Sequence, residues 1–237
     1  MDILYIVIPA YNEESNIRKI IEEWYPVVEK HNGGGASRLV VLDDGSKDTT
    51  FSILEDLARS HPLLCPVTKT NEGHGATIHR GYRYALQMGA DYIFQTDSDG
   101  QTRPEEFEPF WAEREKWDML IGWRKAREDG FGRVFTTRVL RLVIASCFHV
   151  RIQDANTPYR LMKADPLAQA IGFIPADFFL TNVMISVYFT KKGFSVKYIP
   201  ITFRPRQGGK NSINMKRIIR IGLQAVRDFR RLNRSLQ

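Results

Sequence analysis

The first half of the chain alternates short apolar segments with amphipathic helical patterns, and this alternation limits the folds it can adopt. The first helical pattern, for example, places Ile17, Ile20 and Trp24 on one face. Strands that alternate with helices pair in parallel through right-handed crossovers. The pattern therefore predicts an α/β fold with a doubly wound, mainly parallel sheet flanked by helices. The predicted strands cover residues 3–10, 38–44, 65–70, 91–97 and 118–124.

The alternation ends near residue 130. Helical patterns at 133–150 and 178–193 flank a predicted loop with a short strand at 152–165. A strand is predicted at 194–203 and a closing helix at 213–234. Because 237 residues can bury one large core, we expect a single domain.

Positive charge is concentrated towards the C-terminal end. The chain has a formal net charge of +7, and from Arg204 onward ten Lys or Arg residues accompany one acid, Asp228. The imbalance indicates an anionic partner, with a solvated basic surface as the alternative. The closing helix carries Val226 and Phe229 at helical spacing, so it is predicted to be amphipathic. It can lie on an anionic membrane surface or pack its apolar face on the core.

The sequence favours a cytoplasmic setting. No segment approaches the roughly 18 uninterrupted apolar residues of a spanning helix, and no signal peptide is recognisable. The two cysteines, Cys65 and Cys147, lie far apart without metal-ligand spacing, which is typical of reduced structural thiols. We therefore expect a cytoplasmic protein. Peripheral contact with the cytoplasmic face of a membrane is an additional hypothesis.

Polar, turn-forming residues follow each of the five predicted strands. Parallel α/β sheets bind ligands at the carboxyl ends of their strands. The chain is therefore expected to bind its ligand at this edge of the sheet. The segments in question are PAYNE at 9–13, DDGS at 43–46, TNEGHG at 70–75, TDSDGQ at 96–101 and GWRK at 122–125.

The fourth of these segments carries Asp97, Asp99 and Gln101. In an extended segment, residues two apart project to the same side, so the three side chains can converge. Two neighbouring carboxylates repel unless a positive group lies between them. Their oxygen ligands suit Mg²⁺ or Mn²⁺, with water and substrate phosphate completing the coordination. An acidic turn without a metal is the alternative.

Two further segments are candidates for nucleotide binding. Asp43 and Asp44 end the second predicted strand and can accept hydrogen bonds from a base or ribose, although a capping turn is the alternative. The segment 70–81 can direct backbone N–H groups and a helix N-terminus at phosphate. Its histidines, His74 and His79, are expected to face solvent.

Six segments follow one another in a recognisable order: IPAYNEESNI, VVLDDGSKDTT, NEGHGATIHRGYRYA, QTDSDGQTRPEEF, IGWRK and FRPRQGGKNS. In this order they resemble the family two glycosyltransferases of GT-A fold. The chain is most similar to the branch of dolichyl- and polyprenyl-phosphate sugar transferases, and the resemblance covers nearly the whole chain.

The resemblance implies a nucleotide and metal site. It assigns Asp97, Asp99 and Gln101 to a Mg²⁺ or Mn²⁺ ion. It also assigns six positions to the binding of a UDP- or GDP-linked sugar, with Arg124 near the phosphates. The nucleotide-binding positions are Pro9, Tyr11, Glu13, Asp44, Asp97 and Arg124.

On the acceptor side, Arg206 and Gly209 match a phosphate-binding loop of the branch. This sequence has Ser212 where that loop has lysine, and Lys210 is the nearby substitute. A hydroxyl acceptor would need a general base. Asp177 lies roughly where the wider family carries its acidic residue, and Asp154 is the competing position. A turn-capping role is the alternative for each of these two acids.

The resemblance implies a metal-dependent, inverting transferase that moves a sugar from a nucleotide diphosphate to a polyprenyl-phosphate lipid. The expected organisation is a nucleotide-sugar half at 1–125, an acceptor half at 126–212 and a basic tail helix at 213–237. An anionic membrane surface is an expected partner and nucleic acid is not. Two alternatives stay open: a soluble transferase acting on a hydroxyl acceptor, and a non-catalytic nucleotide-binding protein of the same fold.

Overall fold

The computed structural model describes residues 1–124, 131–204 and 215–236, apart from some side chains beside the gaps. Within these ranges the chain forms a seven-stranded sheet with helices on both faces. Short 3₁₀ turns lie at Gly33–Gly35 and Pro104–Glu106. The strands are β1 Leu4–Ala10, β2 Arg38–Asp43, β3 Leu64–Thr68, β4 Tyr92–Gln95, β5 Met119–Arg124, β6 Arg160–Lys163 and β7 Val196–Ile201. The helices are α1 Ile17–Lys30, α2 Thr50–Ala58, α3 His74–Gln87, α4 Glu108–Glu113, α5 Phe131–Phe148, α6 Ala164–Phe173, α7 Thr181–Lys191 and α8 Met215–Ser235.

The strand order is β3-β2-β1-β4-β6-β5-β7. Strands β1 to β4 pair in parallel, and β5 pairs in parallel with β7. Strand β6 runs antiparallel to both of its neighbours, with Arg160 opposite Gln95 and Lys163 opposite Tyr92. It therefore begins at the edge where β4 ends, because segment 149–159 delivers the chain back to that edge. The prediction of a mainly parallel, doubly wound sheet is confirmed, with β6 as the exception.

The two faces of the sheet bury separate apolar clusters. Strand β1 is buried along its whole length and sends Tyr5 and Val7 to one face and Leu4, Ile6 and Ile8 to the other. Helices α3, α6, α7 and α8 cover the first face, and α1, α2 and α4 cover the second. This two-sided burial explains why β1 reads as a continuous apolar run rather than an alternating one.

Helix α8 packs its described apolar side chains on the first face. Phe229 is fully buried, with its ring centroid 5.3 Å from that of Phe148 in α5 and 6.2 Å from that of Phe178. Ala225 and Leu232 are also buried. In the part of α8 whose side chains are described, the packing alternative therefore holds for the apolar face. The arginines of this half, at 227, 230, 231 and 234, are exposed.

Two details differ from the sequence predictions. The sequence pattern does not predict α6, because Pro166 and Gly172 weaken its helical signal; Pro166 lies in the first turn, where proline is tolerated. The prediction that His79 faces solvent is wrong. Its imidazole is buried, and Nε2 lies 3.2 Å from the carbonyl oxygen of Ile171 and 3.1 Å from that of Ile174. His74 is exposed as expected.

We expect Phe229→Ala to lower the free energy of unfolding by about 3–5 kcal/mol, because it removes a fully buried ring from between two helices. Chemical denaturation followed by circular dichroism measures the change. The matched control is Arg230→Gln on the exposed face of the same helix, which should stay within about 0.5 kcal/mol of the wild type. Equal stabilities for the two variants would contradict the packing of α8.

Candidate active site

A cavity of about 410 Å³ opens at the carboxyl edge of the sheet. It forms there because the parallel register sets Ala10 beside Asp43 and Val7 beside Gln95, so the loops after β1, β2 and β4 emerge together. Six residues predicted from the sequence meet in this cavity. They are Pro9, Tyr11, Glu13, Asp44, Asp97 and Asp99, and the other lining residues are Ala10, Asn71, Gly73, His74, Thr77 and Ser98.

Asp44 holds the loop between β3 and α3. Its carboxylate forms an ion pair with the buried Lys69 ammonium and accepts hydrogen bonds from the backbone N–H groups of Glu72 (3.0 Å) and Gly73 (2.9 Å). Burial acts to raise the pKa of Asp44, but the hydrogen bonds from Lys69, Glu72 and Thr77 together hold this pKa below its usual value. The carboxylate therefore stays ionised, and it fixes the loop that carries Asn71 and Gly73 to the cavity wall.

Asp43, the neighbouring acid, forms part of a turn. It accepts a hydrogen bond from the Thr68 hydroxyl at 2.8 Å, and the backbone N–H of Ser46 lies 3.3 Å from each carboxylate oxygen. Asp43 does not line the cavity. The structure therefore supports the turn alternative for Asp43 and places Asp44 at the site.

Asp97 and Asp99 follow the end of β4 and both line the cavity. Asp97 Oδ1 accepts a hydrogen bond from the Gln95 amide at 3.0 Å, and the His74 Nε2 lies 3.9 Å from the same oxygen. Asp99 Oδ1 accepts the backbone N–H of Gln101 at 3.1 Å, across Gly100 with its positive φ of 70°. The turn therefore fixes the Asp99 carboxylate, and both acids lie in the lining of one cavity.

Gln101, the third predicted ligand, lies outside the lining of this cavity. Its side-chain amide donates to the backbone carbonyl oxygen of Arg204 at 3.2 Å. Its backbone carbonyl oxygen accepts the backbone N–H of Arg204 at 2.8 Å. Arg204 in turn pairs with Glu23 at 2.8 Å. These contacts fix the start of the segment that carries Arg206, Gly209, Lys210 and Ser212. Those four positions lie outside the described residues.

The donor set fits a divalent cation that is shared with a substrate. In the described ranges no group of three His, Cys, Asp or Glu side chains could hold a metal alone. Asp97 and Asp99 offer carboxylate oxygens at one cavity wall, which suits Mg²⁺ or Mn²⁺ when phosphate and water oxygens complete the shell. Arg124 ends β5, and its side chain lies outside the described part.

Neither candidate for a catalytic base lies in this cavity. Asp177 is exposed and lines a second cavity of about 500 Å³, together with Arg80 and Arg83 of α3. Asp154 is buried in the segment before β6. Burial lowers the pKa of the neighbouring Arg160, and the negative charge of Asp154 acts against that effect.

Two relatives are similar to this chain over most of their length. A polyprenol monophosphomannose synthase of Mycolicibacterium smegmatis is 25% identical over 88% of this chain and 80% of that relative. A dolichyl-phosphate beta-glucosyltransferase of Trichomonas vaginalis is 23% identical over 89% of this chain and 68% of that relative.

The fold is similar to that of solved glycosyltransferases. Glucosyl-3-phosphoglycerate synthase from Mycobacterium tuberculosis, in complex with Mn²⁺ and UDP-glucose, superposes with a TM-score of 0.68 at 18% identity. The similarity covers 95% of this chain and 77% of that chain. At this identity the likeness shows a shared fold of GT-A type.

The family model described as glycosyl transferase family 2 matches residues 5–189. That range covers β2 to β6, β1 from Tyr5 onward, and every residue that lines the cavity at the carboxyl edge. Sheet topology, cavity and sequence thus agree on the family. The chain belongs to glycosyl transferase family 2.

Proposed function

We propose that this glycosyltransferase moves a sugar, with inversion, from a nucleotide diphosphate to a polyprenyl-phosphate lipid, using Mg²⁺ or Mn²⁺ held by Asp97 and Asp99. The observation that carries the proposal is the shared cavity, which these two carboxylates line together with Pro9, Tyr11 and Asp44. The names of the two relatives support a lipid-phosphate acceptor. The Mn²⁺ and UDP-glucose in the solved neighbour support a divalent ion and make a UDP-linked sugar the first donor to test.

The residues of the cavity divide into a nucleotide part and a phosphate part. Asp44 and Asn71 lie at the β2 and β3 side, and Tyr11 presents a ring with 42% of its surface exposed, which suits a base and ribose. Asp97 and Asp99 lie at the β4 side, where the diphosphate would extend. A GDP-linked donor is the competing choice.

When bound, a divalent ion between the carboxylates neutralises the charge that develops on the diphosphate leaving group. The chain's own part is to hold the Asp97 and Asp99 carboxylates in position. The Gln95 amide does so for Asp97 and the Gln101 N–H does so for Asp99. Arg124, Arg206 and Lys210 are the proposed cations for the remaining phosphate charge.

A phosphate acceptor also agrees with the absence of Asp154 and Asp177 from the cavity lining. A phosphate monoester has a second pKa of about 6, so it is largely ionised at neutral pH and needs little help from a base. A hydroxyl acceptor would need a general base within hydrogen-bond reach. A base role for Asp154 or Asp177 stays a prediction.

The exposed basic face of α8 supports contact with a membrane surface. Arg227, Arg230, Arg231 and Arg234 lie on one side of the helix, opposite the buried Phe229. Because Phe229 is buried, we propose that arginine charge, rather than an inserted apolar face, brings the enzyme to anionic lipid. Among the helices of the described ranges, none combines the length and the apolar composition that a membrane span requires.

We expect sugar transfer from UDP-glucose to a short-chain polyprenyl phosphate in detergent, with loss of activity in EDTA and recovery with Mn²⁺. Asp99→Asn should lower kcat/KM by on the order of 100-fold or more, because it removes a ligand of the ion that stabilises the leaving group. Product formation is measured with labelled donor, with GDP-mannose as the parallel donor and octyl glucoside as the hydroxyl acceptor.

The control for Asp99→Asn is Asp56→Asn, an exposed acid on α2 that should leave transfer unchanged. Activity that survives chelation would contradict the metal site. Transfer to octyl glucoside alone would replace the lipid acceptor with a soluble one, and no transfer to any acceptor, with intact nucleotide binding, would favour the non-catalytic alternative.

We also expect the protein to float with anionic vesicles at low salt and to dissociate as salt rises. Replacing Arg227, Arg230 and Arg231 with Gln should abolish flotation, since each well-placed Arg contributes on the order of 1 kcal/mol and salt screens that attraction. Nucleotide affinity should stay unchanged.

The charge-matched control replaces Arg18 and Lys19 of α1 and Arg59, which directly follows α2, with Gln, on the opposite face of the sheet. That variant should float like the wild type. Flotation lost equally in both triple variants would show a general charge effect, and no flotation of the wild type would remove the membrane claim.

A further inference from the structure

We propose that Tyr82, Asn182 and Gln95 form a hydrogen-bonded chain that orients Asp97 for metal binding. This inference rests on the proposed metal site. It assigns positioning roles to three side chains that do not line the cavity. These hydrogen bonds link the end of β4 to α7 and α3. The two helices are distant from each other in sequence but pack on the same face of the sheet.

The contacts are continuous from α3 to the cavity. The Tyr82 hydroxyl donates to Asn182 Oδ1 at 3.0 Å, and Asn182 Nδ2 donates to Gln95 Oε1 at 3.0 Å. Gln95 Nε2 then donates to Asp97 Oδ1 at 3.0 Å. Tyr82 and Gln95 are completely buried, and Asn182 is 4% exposed. Buried polar groups of this kind are retained only when they are paired, and here each one is.

The direction of every bond follows from the two ends. A carboxylate only accepts hydrogen bonds, so Gln95 must present its N–H₂ group to Asp97 and its oxygen to Asn182. Asn182 must then present its N–H₂ group to Gln95 and its oxygen outward, where the Tyr82 hydroxyl supplies the donor. A reversed Gln95 amide would set its oxygen against the Asp97 carboxylate. The Asp97 carboxylate thus sets the direction of both amides, and the Tyr82 hydroxyl supplies the donor that the Asn182 oxygen needs.

Arg160 holds the backbone on which this chain depends. Its side chain is fully buried and donates to the carbonyl oxygens of Asn182 (2.9 Å), Thr157 (2.6 Å) and Ala155 (3.2 Å). It lies opposite Gln95 in the β4–β6 pair. The guanidinium therefore ties the first turn of α7 to β6, the strand that pairs with β4, which carries Gln95. Its buried positive charge also interacts with Asp97.

The consequence for Asp97 is a carboxylate with one oxygen already engaged and its orientation fixed. A carboxylate has about four lone-pair positions, and the Gln95 amide occupies one. The remaining positions can accept a cation or substrate contacts, beside the His74 imidazole, whose Nε2 lies 3.9 Å from Oδ1. Partners in the second shell of a metal ligand set its orientation, and their loss commonly weakens metal binding by about 10–100-fold.

The test measures Mn²⁺ affinity, by the electron paramagnetic resonance signal of free Mn²⁺, in the presence of saturating UDP. We expect Gln95→Met to raise the Mn²⁺ dissociation constant by about tenfold or more. Tyr82→Phe, which removes only the hydroxyl, should raise it by about fivefold. Both variants should recover most of the wild-type kcat at high Mn²⁺. The affinity for uridine, which lacks phosphate, should equal that of the wild type when it is measured by saturation-transfer NMR.

The matched control is Tyr84→Phe on the same helix. Its hydroxyl lies 3.1 Å from the Cys65 thiol and lines the second cavity, away from Asp97. Tyr84→Phe should bind Mn²⁺ like the wild type. All measurements are made at a temperature at which circular dichroism shows each variant to be folded.

Asp97→Asn separates this proposal from the function on which it rests. If Asp97→Asn abolishes Mn²⁺ binding while Tyr82→Phe and Gln95→Met bind like the wild type, the positioning chain is overturned and the metal site stands. If Asp97→Asn binds Mn²⁺ normally, the proposed metal site and the proposed hydrogen-bonded chain are both overturned. Equal losses of Mn²⁺ and uridine affinity would show a merely structural role and would also overturn the proposal.

Discussion

The parallel pairing of β1 with β2 and β4 is the constraint on which the rest of the structure depends. Because all three strands point the same way, their carboxyl ends release Tyr11, Asp44 and Asp97 at one edge of the sheet. Apolar burial on both faces of β1 holds this register. A slip of one residue would turn every side chain of a strand to the opposite face, so the cavity and the core are specified together.

Three charged side chains at this edge have different partners. Asp44 forms an ion pair with Lys69 and fixes the loop between β3 and α3. Arg160 is buried, donates to backbone carbonyl oxygens and holds α7 in place. Asp97 receives an amide N–H and faces the cavity. A carboxylate that is oriented by a neutral amide keeps its full negative charge for a cation, whereas a direct ion pair with Lys or Arg would compete with one.

Much of the fold follows from local sequence pattern, and most of the site follows from motif order. Strands β1, β2 and β4 match the apolar runs closely, because burial on both faces leaves a continuous apolar signal. The antiparallel direction of β6 and the burial of His79 were not predictable in this way, since both depend on where segments 149–159 and 171–174 return in space. Asp97 and Asp99 were recognisable locally. Asn182 was not, because 87 residues separate it from Gln95 and 100 from Tyr82.

The central claim is that Asp97 and Asp99 hold a divalent ion in contact with the diphosphate of the donor. Phosphorus-31 electron–nuclear double resonance of the Mn²⁺–UDP complex tests it most directly, because hyperfine coupling to phosphorus requires phosphate oxygens in the coordination shell of the ion. We expect coupling to both phosphates in the wild-type protein and its loss in Asp99→Asn. Protein-bound Mn²⁺ without phosphorus coupling, or coupling that persists in Asp99→Asn, would contradict the claim.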